Sequence, residues 1–170
     1  MVLSNIAIWL KMNDESKLYI QRAENELVTA QILFSISNSQ DLQKEQFKLE
    51  ENFTFYSSVI SHSYYCIFYS AKAILLNEGI KTEAPEVHKK TLEAFETSLV
   101  KTGKLDVELL KIYKKMILRA EDLLGIFSKE RGKRGRFTYQ KLPQANKEPA
   151  GESLENASLF FKNINKILRK

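Results

Sequence analysis

The chain has 170 residues, which suits one domain and is long enough to bury a core. Hydrophobic residues make up 44% and charged residues 28%, and a single cysteine excludes an internal disulfide and a cysteine metal cluster, which suits a reducing cytoplasm. The net charge of +5 is local: residues 129–141, "KERGKRGRFTYQK", hold six basic residues and one acid, so the rest of the chain is neutral.

The apolar opening "IAIWLKM", Ile6 to Met12, is too short to span a bilayer and lacks the basic flank of a signal peptide. Residues 1–15 are therefore expected to form a packed N-terminal arm before a single helical domain over 16–170. Only six Gly and three Pro punctuate the chain, which favours a few long helices over many strands.

Ser16 to Ser37 reads as the first helix, with Asp14 and Ser16 as candidate caps and Ile20, Ala23, Leu27, Ala30 and Phe34 as its apolar stripe. Asn38 to Asn52 is polar and reads as a loop with room for one helical turn. A second helix runs from about Phe55 to Asn77. Ile60, Tyr64, Ile67, Phe68, Ala71, Ile74 and Leu75 form its main stripe, with Tyr65, Tyr69, Ala73 and Leu76 beside it. So wide an apolar face marks a central helix, or one that also meets a partner chain. Gly79 stands where a helix-ending glycine belongs.

A third helix is expected from Pro85, as its first residue, to about Thr102. A fourth runs from about Asp106 to Lys129 with Leu109, Ile112, Met116, Arg119, Leu123 and Ile126 on one stripe. Arg119 on that stripe calls for an acid, with Glu24 or Glu26 as candidates, because a buried guanidinium without a partner is costly. Residues 130–150 read as a long loop, and Ser153 to Leu168 as the fifth helix, with Leu154, Ala157, Phe160 or Phe161, Ile164 and Leu168 inward. The expected architecture is all-α, an up-and-down antiparallel bundle of four to five helices.

Four stretches in this order, "YIQRAENELVTAQILF", "SHSYYCIFYSAKAILLNEGI", "HKKTLEAF" and "SLENASLFFKNI", resemble the HEPN domain family, over roughly residues 16–168. The resemblance implies a helical bundle that forms a homodimer. It also implies two kinds of role: RNA endonucleases, often toxins neutralised by a minimal nucleotidyltransferase partner, and non-catalytic modules that bind nucleotides, RNA or proteins. The nuclease members carry an arginine and, four to six residues on, a histidine. In the branch resembled here, an arginine precedes an alanine-aspartate-tyrosine group before the last helix. Arg134 and Tyr139 match that arginine and tyrosine and become the candidate catalytic pair. Thr138 stands in place of the aspartate, and no histidine follows Arg134; His62 and His88 both lie upstream. A tyrosine is a poor base at neutral pH.

The basic segment interleaves cations with Phe137 and Tyr139. Cations neutralise phosphates and aromatics stack bases, so Arg131, Lys133, Arg134, Arg136 and Lys141 are the expected nucleic-acid-binding residues. The tyrosines of the second helix read as packing, in the core or across a dimer. His62 reads as an exposed or interface histidine. His88 reads as a side chain bonded to a neighbouring loop, or as a site residue facing Arg134. Cys66 lies off the main stripe with no histidine on its face. No Gly-rich phosphate loop, metal-ligand spacing or Ser-His-Asp order is present, so no cofactor and no metal are expected. Three functions stay open: a module binding RNA or nucleotide, a metal-independent RNA endonuclease, and a protein-interaction role with a nucleotidyltransferase. No membrane association is expected, and a cytoplasmic location is.

Overall fold

The computed structural model describes residues 12–49, 53–132 and 146–169; for 121–132 it describes the backbone alone. The described residues contain five α-helices: α1 (Asp14–Asn38), α2 (Tyr56–Asn77), α3 (Val87–Phe95), α4 (Val107–Gly132) and α5 (Lys147–Leu168). They contain no strand, and the fold is an all-α bundle. No described helix is long and apolar enough to cross a membrane.

α1 starts at an Asn13 cap, whose side chain accepts the Glu15 N–H at 3.0 Å. The two expected caps do other work. Asp14 pairs with Lys17 at 2.8 Å, and the buried Ser16 hydroxyl donates to the Ala73 carbonyl at 2.7 Å. That bond ties the start of α1 to the end of α2. At the other end, Ser37 Oγ accepts the Phe55 N–H at 2.8 Å, so the two helices run antiparallel. The connection holds one short π-helical turn, Leu42–Gln46.

α2 is the central helix and packs on α1, α3, α4 and α5. All seven residues of its predicted main stripe are buried. Gly79 ends it with φ +77°: the Gly79 N–H bonds Leu76 O at 3.0 Å and the Ile80 N–H bonds Leu75 O at 2.8 Å, a double closure that needs a left-handed residue.

α3 begins later than the sequence suggests. Pro85 precedes the helix, after a cis Ala84–Pro85 bond, and Glu86 takes a left-handed φ of 59° before Val87 opens the helix. The last part of the expected third helix is a π-helical turn, Glu96–Val100. α5 begins earlier than expected, at Lys147, because Pro149 fits within a first turn where its missing N–H costs nothing. The connection between α2 and α3 is held by polar bonds: Lys72 Nζ donates to Thr82 O at 2.8 Å, Thr82 Oγ1 bonds Thr91 Oγ1 at 2.8 Å, and Thr91 donates to Val87 O at 2.7 Å. Phe95, Tyr113 and Phe160, all fully buried, bring α3, α4 and α5 together with ring centroids 5.5–5.9 Å apart.

Candidate functional site

A cleft of about 490 Å³ opens between α2, α3 and α4, lined by Tyr64, Tyr65, Glu86, His88, Lys89, Leu92, Ile117 and Ala120. Mostly apolar walls with a few polar groups are what a small organic ligand group needs. Each wall follows from helix periodicity. Tyr64 and Tyr65 come from adjacent stripes of α2, His88 and Leu92 lie four apart on α3, and Ile117 and Ala120 lie three apart on α4.

The polar centre is a pair. Tyr64 Oη lies 2.7 Å from His88 Nδ1, and the imidazole rests on the Phe68 ring with centroids 4.2 Å apart. His88 is exposed as a residue, yet contact with the aromatic floor partly desolvates its ring. That desolvation, and then the Lys72 ammonium behind it, lower its pKa below the ordinary 6.5. In one neutral tautomer the imidazole accepts the tyrosine O–H at Nδ1 and carries its proton on Nε2, where it can donate to a ligand; in the other, Nδ1–H donates to Tyr64 Oη and Nε2 is an acceptor. Lys89 and Glu86 stand at the rim, 3.9 Å apart. The arrangement can hold a planar ring against aromatic faces, donate one hydrogen bond and exchange one proton. Among the described residues no group of three or more His, Cys, Asp or Glu is placed to hold a metal ion.

Arg119, Glu26, His62 and Cys66 are not among the residues that line this cleft. Arg119 does not pair with Glu24 or Glu26. It bonds Glu152 at 2.7 Å, Ser153 Oγ at 3.0 Å and the Pro149 carbonyl at 3.1 Å, which clamps α4 to the start of α5. Glu26 instead meets His62 at 2.6 Å. Cys66 is fully buried, and burial drives its thiol pKa up, which removes it as a nucleophile.

The sequence-derived site residues Lys133, Arg134, Arg136, Tyr139 and Lys141 lie outside the described residues, as does the side chain of Arg131. The cleft therefore rests on a different set of groups. In the sequence His88 reads as bonded to a neighbouring loop or as a site residue facing Arg134, and Tyr64 as packing in the core or across a dimer. Their pairing joins residues 24 apart on different helices, and no local spacing signals it.

Comparison with known proteins adds a family. The model described as "HEPN domain" matches residues 16–167. A Methanocaldococcus jannaschii protein named "Putative toxin MJ0142" is 30% identical over 102 residues, which is 60% of this chain and 56% of that protein. A Thermotoga maritima protein named "UPF0332 protein" is 39% identical over 59 residues, 35% of this chain and 42% of that protein. The matched stretches thus span about half the length of each relative.

Proposed function

Because the chain belongs to the HEPN domain family, we propose that it is a toxin-type RNA-binding protein whose cleft and basic segment act together. One observation carries this reading. α4 lines the cleft with Ile117 and Ala120 and continues to Gly132, so its last turns carry Lys129 and Arg131, the start of the segment that holds the chain's whole positive surplus. At about 1.5 Å per residue, Ala120 and Arg131 are about 16 Å apart along the helix, the reach of a few nucleotides. In this reading Arg134 contacts phosphate and Arg131, Lys133, Arg136 and Lys141 add attraction. Tyr139 donates a hydrogen bond or stacks on a base, and the cleft takes an unstacked base beside His88. The resemblance of part of the chain to a protein named as a toxin supports a toxin-type role. In this reading the protein works as a homodimer with a nucleotidyltransferase partner in the cytoplasm.

The test is retardation of labelled single-stranded RNA at several salt concentrations. Binding should weaken with salt, and Arg134→Ala should flatten the log–log slope by about 0.7, the value for one phosphate contact on a single strand. Salt-independent binding overturns the reading.

RNA cleavage is a second reading, favoured by the Tyr64–His88 pair, because a neutral imidazole that donates from Nδ1 to Tyr64 Oη leaves Nε2 free to act as a general base in the cleft. Cleavage lost in both His88→Ala and Arg134→Ala supports it. Intact RNA after long incubation with the parent protein removes it.

A further inference from the structure

The cleft does not end at Tyr65. From that ring an aromatic ladder continues over the outer surface of α1 and α2. Tyr65 and Tyr69, one turn apart on α2, stack with centroids 6.0 Å apart and planes 26° apart. Tyr69 meets Tyr19 of α1 at 5.9 Å. The exposed Arg22 guanidinium lies 5.8 Å from the Tyr19 centroid and 6.0 Å from that of Tyr69, and Lys72 Nζ lies 4.8 Å from Tyr19. Each of the three tyrosines packs partly against the core and remains partly open. Pure packing would be served as well by leucine or phenylalanine. Here three phenols in a row keep hydroxyls that no hydrogen bond to a described residue engages, and two of them, Tyr19 and Tyr69, lie beneath a solvent-facing arginine. Glu26, a carboxylate whose charge acts on Tyr69, is bonded to His62.

We propose that Tyr65, Tyr69 and Tyr19, with Arg22 above the last two, form a stacking track that carries single-stranded RNA out of the Tyr64–His88 cleft. Successive π faces beside cations are the device by which unpaired bases are held without sequence preference. The track rests on the RNA reading above and adds to it where the bases beyond the cleft lie. Its first ring, Tyr65, is also a wall of the cleft, so the two surfaces are continuous.

The experiment compares a uridine trinucleotide with a uridine dodecanucleotide, each labelled, by fluorescence anisotropy. The proteins are the parent, Tyr69→Phe, Tyr69→Leu, Arg22→Gln and Arg134→Ala, with thermal melting as a check on folding. The parent and Tyr69→Phe should bind the longer RNA more tightly than the shorter. In Tyr69→Leu that gain with length should shrink roughly tenfold, the effect of losing one stacked base. Arg22→Gln should shrink it several-fold and flatten its salt dependence; Arg22 is exposed, so this variant carries the test if Tyr69→Leu fails to fold. An unchanged gain in the folded variants overturns the track and leaves the RNA reading intact. Equally, a Tyr69→Leu protein that changes sedimentation while its RNA binding is unchanged makes the ladder an interface between copies and overturns the track. A gain lost in Tyr69→Leu, with binding and salt slope untouched in Arg134→Ala, supports the track and removes Arg134 as a phosphate contact. No binding of either RNA by the parent overturns both.

Discussion

Tyr64 Oη stands 2.7 Å from His88 Nδ1 across the junction of α2 and α3, and the form of the imidazole decides which of the two donates. A phenol that donates to Nδ1 requires the neutral ring. Desolvation of the ring and the Lys72 charge act in the same direction.

The His88 titration measured by NMR should therefore have a midpoint below 6.5, and Lys72→Met should move it upward. A folded-state pKa below the unfolded value means that the unfolded chain takes up the proton first as pH falls. Stability from this residue is thus fully present above pH 6.5, declines as pH drops towards the folded pKa, and levels off below it. A midpoint at or above 6.5 would contradict the neutral pair.

Arg119 holds α5 to α4 through one carboxylate, one hydroxyl and one carbonyl, and its side chain is 23% exposed. Arg119→Ala should cost about 1–2 kcal/mol in chemical denaturation, because Ser153 and the Pro149 carbonyl lose a charged donor. Glu152 is 42% exposed, so Glu152→Gln should cost only about 0.5 kcal/mol. The Lys115 hydrogen bond first, and then that of Arg119, hold the Glu152 carboxyl below the usual 4.5. Its contribution is present above pH 4.5 and is lost as pH falls through the folded value, a decline that Glu152→Gln should abolish.

Tyr113 is fully buried between Phe95 and Phe160, and its hydroxyl has no hydrogen-bond partner among the described residues. Tyr113→Phe should leave stability unchanged or raise it by about 1 kcal/mol, since an unsatisfied hydroxyl is removed and the ring retained. Burial pushes its phenol well above the ordinary 10. An alkaline ultraviolet titration should find one tyrosine that ionises only on unfolding, and Tyr113→Phe should remove that late step.

Cys66 Sγ lies in the core, 4.0 Å from the Ala157 carbonyl. An aromatic disulfide reagent should leave the native protein unlabelled and label one thiol after denaturation. Rapid native labelling would place Cys66 elsewhere.

Helix stripes transmitted the fold well where a helix has one buried face. Ile20, Ala23, Leu27 and Ala30 of α1 are buried and Phe34, the last of that stripe, is half-buried, and on α5 the choice between Phe160 and Phe161 falls to Phe160. They transmitted it poorly on α2, which is buried around most of its circumference. Cys66, Ser63 and Ser70 lie off the stripe and are as inaccessible as the residues on it. The acid opposite Arg119 was misjudged because Glu152 stands before the expected start of the last helix. Its proximity depends on Pro149 being absorbed into α5. The Tyr64–His88 pair is a tertiary contact, and its two residues carry no mutual pattern in the chain. The basic segment was legible from composition alone, as a charge surplus without a geometry.

The Cys66–Ala157 contact joins residues 91 apart, and α5 supplies Ala157, Phe160 and Ile164 to a core whose other walls precede it in the chain. During synthesis α1 and α2 can pair as soon as both have left the ribosome, because they are neighbours in sequence. The side of α2 that meets α5 then stays bare while nearly seventy further residues are translated, a window in which a chaperone or a second nascent chain can reach it first.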